Sequence, residues 1–203
     1  MSLFVNYLWE NPVYFFTVII SVSLSVCIHE FFHAYVALKC GDPTAAQTGH
    51  LTLNPLKQMG IFSLIMLLLL GICWGAVPVN PHILSKKKRI VVSLAGPAAN
   101  LLLFILGMAI SIVLMKLEND FAGIMLVFSM YNLVLCIFNL MPVPGLDGGN
   151  VIAELIPMNK IFSSEAGKGV VIGLILALFY FADYIFTAAE YIVVAIGKFF
   201  MNM

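Results

Sequence analysis

A hydrophobic stretch that carries two histidines and a glutamate within five residues is the feature that most constrains what this chain can fold into. Between Val13 and Leu38 the sequence is apolar or aromatic apart from small hydroxyl residues and the group His29-Glu30-Phe31-Phe32-His33. As a helix these 26 residues extend about 39 Å, enough to cross a bilayer with tilt. A charged side chain near the bilayer centre costs at least about 2.5 to 3.5 kcal/mol on insertion scales, so the three polar groups need partners and a purpose. On a helix, His29 and His33 lie on one face, where both imidazoles can reach a single metal ion. Glu30 sits beside that face, placed to take a proton from a metal-activated water, which is the mechanical meaning of His-Glu-x-x-His where it binds zinc. Counted back from Lys39, His33 lies about 9 Å and His29 about 15 Å along the axis, inside the membrane but nearer the Lys39 end.

The rest of the composition agrees with a membrane setting. Of 203 residues, 62% are hydrophobic and 10% charged, with a mean hydropathy of +1.06; a soluble domain carries about 25% charge. The expected fold is an all-α integral membrane protein with about four transmembrane helices. One polytopic domain is expected over 1–203, with a core at 13–157 and a C-terminal helical segment at 169–200. The formal net charge is zero, and no basic patch interleaved with aromatics marks a nucleic-acid surface. Cys27, Cys40, Cys73 and Cys136 form no Cys-x-x-Cys pair, so neither a disulfide framework nor a thiolate site is signalled. The N-terminus has no basic region and cleavage site of secretory type, so the first apolar segment is expected to persist as a span.

Pro12 can open the first helix, and Gly41-Asp42-Pro43 ends it. Residues 47–54 then alternate polar with small or apolar side chains, a pattern that reads as a short strand, ended by Pro55, whose edge could pair with an unwound peptide. His50 on its polar face reads better as an interfacial histidine than as a metal ligand. The apolar run from Ile61 is interrupted by Gly71, Gly75 and Pro78, so 61–78 is expected to dip in and return or to lie along the surface. Together, 47–78 is expected to form a membrane-dipping strand or re-entrant element. Lys86-Lys87-Lys88-Arg89, the densest charge cluster, is cytoplasmic by the positive-inside rule. Spans follow at 90–115 and 121–140. The second runs into Asn139-Leu140-Met141-Pro142-Val143-Pro144-Gly145-Leu146-Asp147-Gly148-Gly149, where a regular helix cannot continue. Irregular backbone at membrane depth is tolerated where protein or a wet cavity satisfies it, so this element is a candidate site wall.

Catalytic zinc sites usually take three protein ligands and leave a fourth position for water, so two histidines leave one ligand to find. Glu154, Glu165, Asp183 and Glu190 are candidates, but Asp147 alone sits in an unwound element, followed by glycines that permit close backbone approach. Asp-Gly is also a common turn dipeptide. Topology adds weight. The spans 90–115 and 121–140 are antiparallel and return Asp147 to the side of Lys86–Arg89, and meeting the histidines puts Lys39 on that side too. Lys39, Lys57, Lys86, Lys87, Lys88, Arg89, Lys160 and Lys168 are then cytoplasmic, against Lys116 and Lys198 outside.

Four ordered motifs, His29-Glu30-x-x-His33, Gly49-His50-Leu51-Thr52-Leu53-Asn54-Pro55, Ala95-Gly96-Pro97-Ala98-Ala99-Asn100 and Asn139-Leu140-Met141-Pro142-x-Pro144-x-x-Asp147-Gly148-Gly149, resemble the site-2 protease family of intramembrane zinc metalloproteases. The likeness covers residues 25–157. It implies a multi-pass enzyme of a bacterial or archaeal cell membrane that hydrolyses transmembrane protein or peptide substrates near the cytoplasmic side, with one Zn2+ per chain. It places the metal ligands on His29, His33 and Asp147, the general base on Glu30, and support of substrate or oxyanion on Asn139 and Asn100. It also implies that the strand at 48–54 is the family's membrane-dipping sheet element. No room is left in these residues for a PDZ or CBS module, and His50 stands where relatives often have arginine. Two other readings use the same ligands: a membrane zinc transporter or metal-binding protein, and a silent scaffold for membrane helices. The first does not explain Glu30 or Asn139, and an intact Glu30 counts against the second.

Overall fold

The computed structural model describes residues 3–156 and 165–202, and among these the regular structure is helical with no strand. A short lead, α1 (Tyr7–Glu10), packs against the central helix α2 (Pro12–Cys40). The start of α2 is set by its sequence: Pro12 occupies the first turn, and the Asn11 side chain accepts a hydrogen bond from the Tyr14 amide at 3.1 Å. Its end is set by Gly41, left-handed at φ 102. Gly41 N–H donates to Leu38 O and Asp42 N–H to Ala37 O, the paired bonds of a Schellman cap. Helix α2 is the core of the molecule: 56% of its most apolar stretch is buried inside the protein.

The segment after α2 departs from the expected strand. Instead of an extended edge at 47–54, the chain forms α3 (Thr44–Gln47), a turn through Gly49 at φ 77, and α4 (Pro55–Gln58). Local side chains take the backbone groups that a strand would have offered. Asp42 accepts from the Thr44 amide and hydroxyl, Thr52 Oγ1 from the Asn54 amide, and Asn54 Oδ1 from the Leu56 amide. Buried Gln58 donates through Nε2 to the carbonyls of His50 and Thr52, at 2.8 and 2.6 Å. The alternation of polar and small residues is thus a run of turn-forming side chains bonded to their own backbone. His50 likewise finds a local partner, with Nδ1 3.0 Å from the Thr48 hydroxyl.

Helix α5 (Gly60–Leu70) has 11 residues, about 16 Å, too short for a hydrocarbon core about 30 Å thick. Gly71, at φ 72, stops it, and residues 72–80 come back without regular secondary structure. The Ser63 hydroxyl donates to Trp74 O and accepts from the Trp74 amide, Ala76 N–H donates to Gln58 O at 3.1 Å, and Asn80 N–H donates to Asp42 Oδ2 at 2.7 Å. The strip therefore retraces α5 to the Lys39 end of α2, so that the segment folds back on itself instead of continuing away from that end.

Helix α6 (Lys86–Lys116) includes the basic cluster in its first turn, where the Lys88 ammonium donates to Cys40 O at 2.7 Å. A short turn leads to α7 (Phe121–Asn139), which packs against α6 and α2. The irregular stretch 140–146 then feeds α8 (Asp147–Leu155). Residues 157–164, part of the expected polar stretch and including Lys160 and the expected core boundary at 157, lie outside the described residues. Helix α9 (Glu165–Met201) is one continuous helix through Asp183 and Glu190, which are exposed. It packs through Ala189 and Ile185 against Leu133 and Val134 of α7, and only 6% of its apolar stretch is buried. Among the described residues, four helices are long and apolar enough to cross a membrane: α2, α6, α7 and the part of α9 from Gly169 onward.

Candidate metal centre

Side chains from α2 and α8 converge at the cytoplasm-expected end of the bundle, on a cavity of about 640 Å³. His29 and His33 lie on one face of α2 with ring centroids 4.6 Å apart. Asp147, the first residue of α8, brings Oδ2 to 3.1 Å from His29 Nε2 and 3.2 Å from His33 Nε2, and the two Nε2 atoms are 3.0 Å apart. These are the only three such side chains brought together in this way among the described residues.

The backs of the two rings decide what lies between their fronts. His33 Nδ1 is 2.7 Å from the carbonyl oxygen of Val92, which can only accept, so the proton of a neutral ring is on Nδ1. His29 Nδ1 donates in the same way to Asn100 Oδ1 at 2.6 Å. Both Nε2 atoms are then bare lone pairs, and with the Asp147 carboxylate they form three acceptors in mutual contact. Such a cluster repels itself unless a cation holds it. Ligand atoms of a tetrahedral zinc lie about 3.3 Å apart, given bonds of 2.0–2.1 Å. The donor set of two imidazoles and a carboxylate, its spacing and the fixed tautomers all fit that ion.

Glycines make the convergence possible. A Cβ on Gly148 or Gly149 would run into the backbone of Leu140 and Met141 or of Val143 and Pro144, so the first turn of α8 can fold back on 140–146 only without side chains there. Gly145, at φ 97, makes the turn. Glu30 is buried, lines the cavity, and has no hydrogen-bond partner among the described residues. Gly75 of the returning strip passes so near that a Cβ would come within 2.5 Å of Glu30 Oε1.

Asn139 lines the cavity with Nδ2 donating to Leu135 O at 3.0 Å, which leaves its carbonyl oxygen uncommitted. Asn100 also lines the cavity, fully buried beside His29, with Oδ1 on the histidine and Nδ2 on Asn132 Oδ1 at 3.0 Å, so each of its polar groups already has one partner within the protein. Glu154, Asp183 and Glu190 do not join the cluster; of Glu165 only the backbone is described.

Two parts of the site were not read from the sequence. Asn132 is one; an amide in the middle of an apolar span needs a buried partner, and that was the available signal. The other is the Arg89–Glu154 pair at the cavity mouth, two charges 65 positions apart with no sequence link. Arg89 meets Glu154 with Nε–Oε1 at 2.6 Å and Nη2–Oε2 at 2.7 Å, and its Nη1 donates to Pro81 O and Leu84 O. It thus ties α6, the end of the returning strip and α8 together. These hydrogen bonds hold the Glu154 carboxyl below the usual glutamate range, with burial opposing them. A carboxyl depressed in the folded state stabilises above its unfolded pKa of about 4.3 and loses that effect as pH falls through its folded value. Glu154→Gln is therefore expected to melt below the parent at pH 5 to 8, with the two melting curves converging toward pH 3. An equal gap at both ends of a detergent-solubilised melting series would show that the ion pair is not the cause.

The model of peptidase family M50 matches residues 17–119 and 115–182. The chain is 39% identical over 150 residues to "Putative zinc metalloprotease YwhC" of Bacillus subtilis, covering 68% of each chain. It is 36% identical over 143 residues to "Putative zinc metalloprotease Rip2" of Mycolicibacterium smegmatis and of Mycobacterium tuberculosis, covering 66% of this chain but 55% of those relatives. It thus spans little more than half the length of the mycobacterial proteins. No solved structure matches.

Proposed function

The chain belongs to peptidase family M50, the site-2 protease type of intramembrane zinc metalloprotease, and from that premise we propose that it hydrolyses peptide bonds of membrane-embedded substrates at the His29, His33 and Asp147 centre. The observation that carries this reading is the trio of bare acceptors, two Nε2 atoms and one carboxylate oxygen within 3.2 Å, beside an uncommitted glutamate. His29, His33 and Asp147 would hold the zinc, which would supply Lewis acidity for activating water and polarising a peptide carbonyl. Charge supports the assignment: with both rings neutral and both carboxylates ionised, a divalent ion brings the buried group to zero, which suits a low-dielectric site.

Glu30 takes the proton of the attacking water and delivers it to the departing amine. The Asn139 side chain lies at the cavity wall, where its free carbonyl oxygen can accept from a substrate backbone N–H and the second hydrogen of its amide can be offered to a substrate carbonyl. A transmembrane helix hides its carbonyls in its own hydrogen bonds and has to unwind before attack. The strip 72–80 supports a place for the unwound form, since it lines the cavity as non-helical chain with backbone groups bonded to Ser63, Gln58 and Asp42. Strand addition along this strip replaces the role first expected at 48–54. The clustered lysines at this end of the bundle support a cytoplasmic placement of the site.

The test is zinc content together with cleavage of a transmembrane peptide by the purified protein in detergent and in proteoliposomes. One zinc per chain is expected, with cleavage lost to a chelator, regained on adding zinc, and absent with the metal in Asp147→Ala. Zinc flux across the liposome without cleavage, lost in His29→Ala, would instead establish the transporter reading.

A further inference from the structure

We infer that Asn132, in the middle of α7, is a positioning residue that fixes which nitrogen of His29 carries its proton, acting through Asn100. The inference rests on the metal-centre reading above and extends it to a residue that touches neither ion nor substrate.

The direction of every bond in the chain from α7 to His29 is forced. The Ser25 hydroxyl donates to the Ser21 carbonyl at 2.7 Å, so its oxygen is free to accept. The Phe128 carbonyl can only accept. Asn132 stands 2.8 Å from Ser25 Oγ and 2.9 Å from Phe128 O, and the group facing both has to be its amide nitrogen. Its Oδ1 therefore points at Asn100 and receives Asn100 Nδ2 at 3.0 Å. Asn100 in turn can offer only Oδ1 to His29, whose Nδ1 must donate. Turning either amide over would set oxygen against oxygen at Phe128 or between the two asparagines. Ser25, Asn100 and Asn132 have no exposed surface, so no solvent competes for these bonds. His33 obtains the same tautomer directly from a backbone carbonyl, whereas His29 obtains it across α2, α6 and α7.

In the zinc-loaded protein, chelator competition should show Asn132→Leu binding zinc about ten- to a hundredfold more weakly, the range typical of lost outer partners of ligating histidines. The double variant Asn100→Leu/Asn132→Leu should bind no more weakly than Asn100→Leu alone, because the two act in series. Zinc affinity within twofold of the parent in Asn132→Leu, or additive losses in the double variant, would overturn the inference. If Asn132→Leu does not fold, Asn132→Ala is measured against the same thresholds. Side-chain 15N spectra of metal-free protein provide a readout independent of zinc: His29 should be protonated at Nδ1 in the parent and a tautomer mixture in the Asn132 variant. A parent that takes up no zinc but shows this tautomer pattern sinks the metal reading and leaves the relay standing, while an unchanged pattern sinks the relay.

Discussion

Replacing Glu30 with Gln is expected to lower peptide cleavage by at least about a thousandfold while leaving one zinc per chain. General acid–base catalysis contributes about 10²- to 10⁴-fold, and in the proposed mechanism one group serves both water activation and departure of the amine. The substitution is nearly isosteric, and the carboxylate makes no hydrogen bond among the described residues that an amide would break. Glu30 is 8% exposed, so exchanging a buried carboxylate for a neutral amide removes a desolvation cost, and the variant should melt at or above the parent temperature. That combination separates a chemical role from a structural one. Single-turnover cleavage of a transmembrane peptide and metal analysis of the same sample test it. Proteolysis retained in Glu30→Gln rules out this mechanism, and loss of zinc assigns Glu30 to the metal instead.

Much of the site could be read from the sequence because its parts are local or chemically expensive. The His29, Glu30 and His33 spacing is helical geometry, and three ionisable groups inside an apolar run cost too much to be incidental. Asp147 stood out because Pro142, Pro144 and Gly145 force the chain to unwind just before it. Helices α2, α6 and α7 begin and end within a few residues of expectation, since Pro12, Gly41 and the turns around 117–120 and 140–146 are local signals. The strand at 47–54 failed because alternation of polar and small residues has two physical causes, a half-buried sheet face or side chains satisfying their own turns. The two are separated by Gln58, whose amide comes from outside the segment. Asn132 and the Arg89–Glu154 pair depend on which helices meet, and periodicity carries no information about that. The same limit hid why one particular glycine in α6 is required.

Gly96 supplies the second large effect. A Cβ built on it would collide with His29 Nε2 and His33 Nε2, the two nitrogens proposed to bind the ion. Those rings cannot swing aside cheaply, because α6 itself holds their backs through Val92 O and Asn100 Oδ1. One helix therefore grips both imidazoles from behind and needs a bare backbone where their fronts pass, and any side chain at 96 competes for the position of the metal. Gly96→Val is expected to weaken zinc binding by more than about a hundredfold, beyond the loss of an outer partner alone, and to abolish cleavage. Helix propensity argues in the opposite direction, since removing a helical glycine gains up to about 1 kcal/mol when space allows. Gly123 of α7 supplies that control: nothing lies within 4 Å of its Cβ position. Gly123→Ala should keep full zinc and activity and melt slightly higher. Metal titration and thermal melting of the two variants side by side decide the matter, and a Gly96→Val protein that still binds zinc like the parent would mean that α6 does not press on the histidine pair.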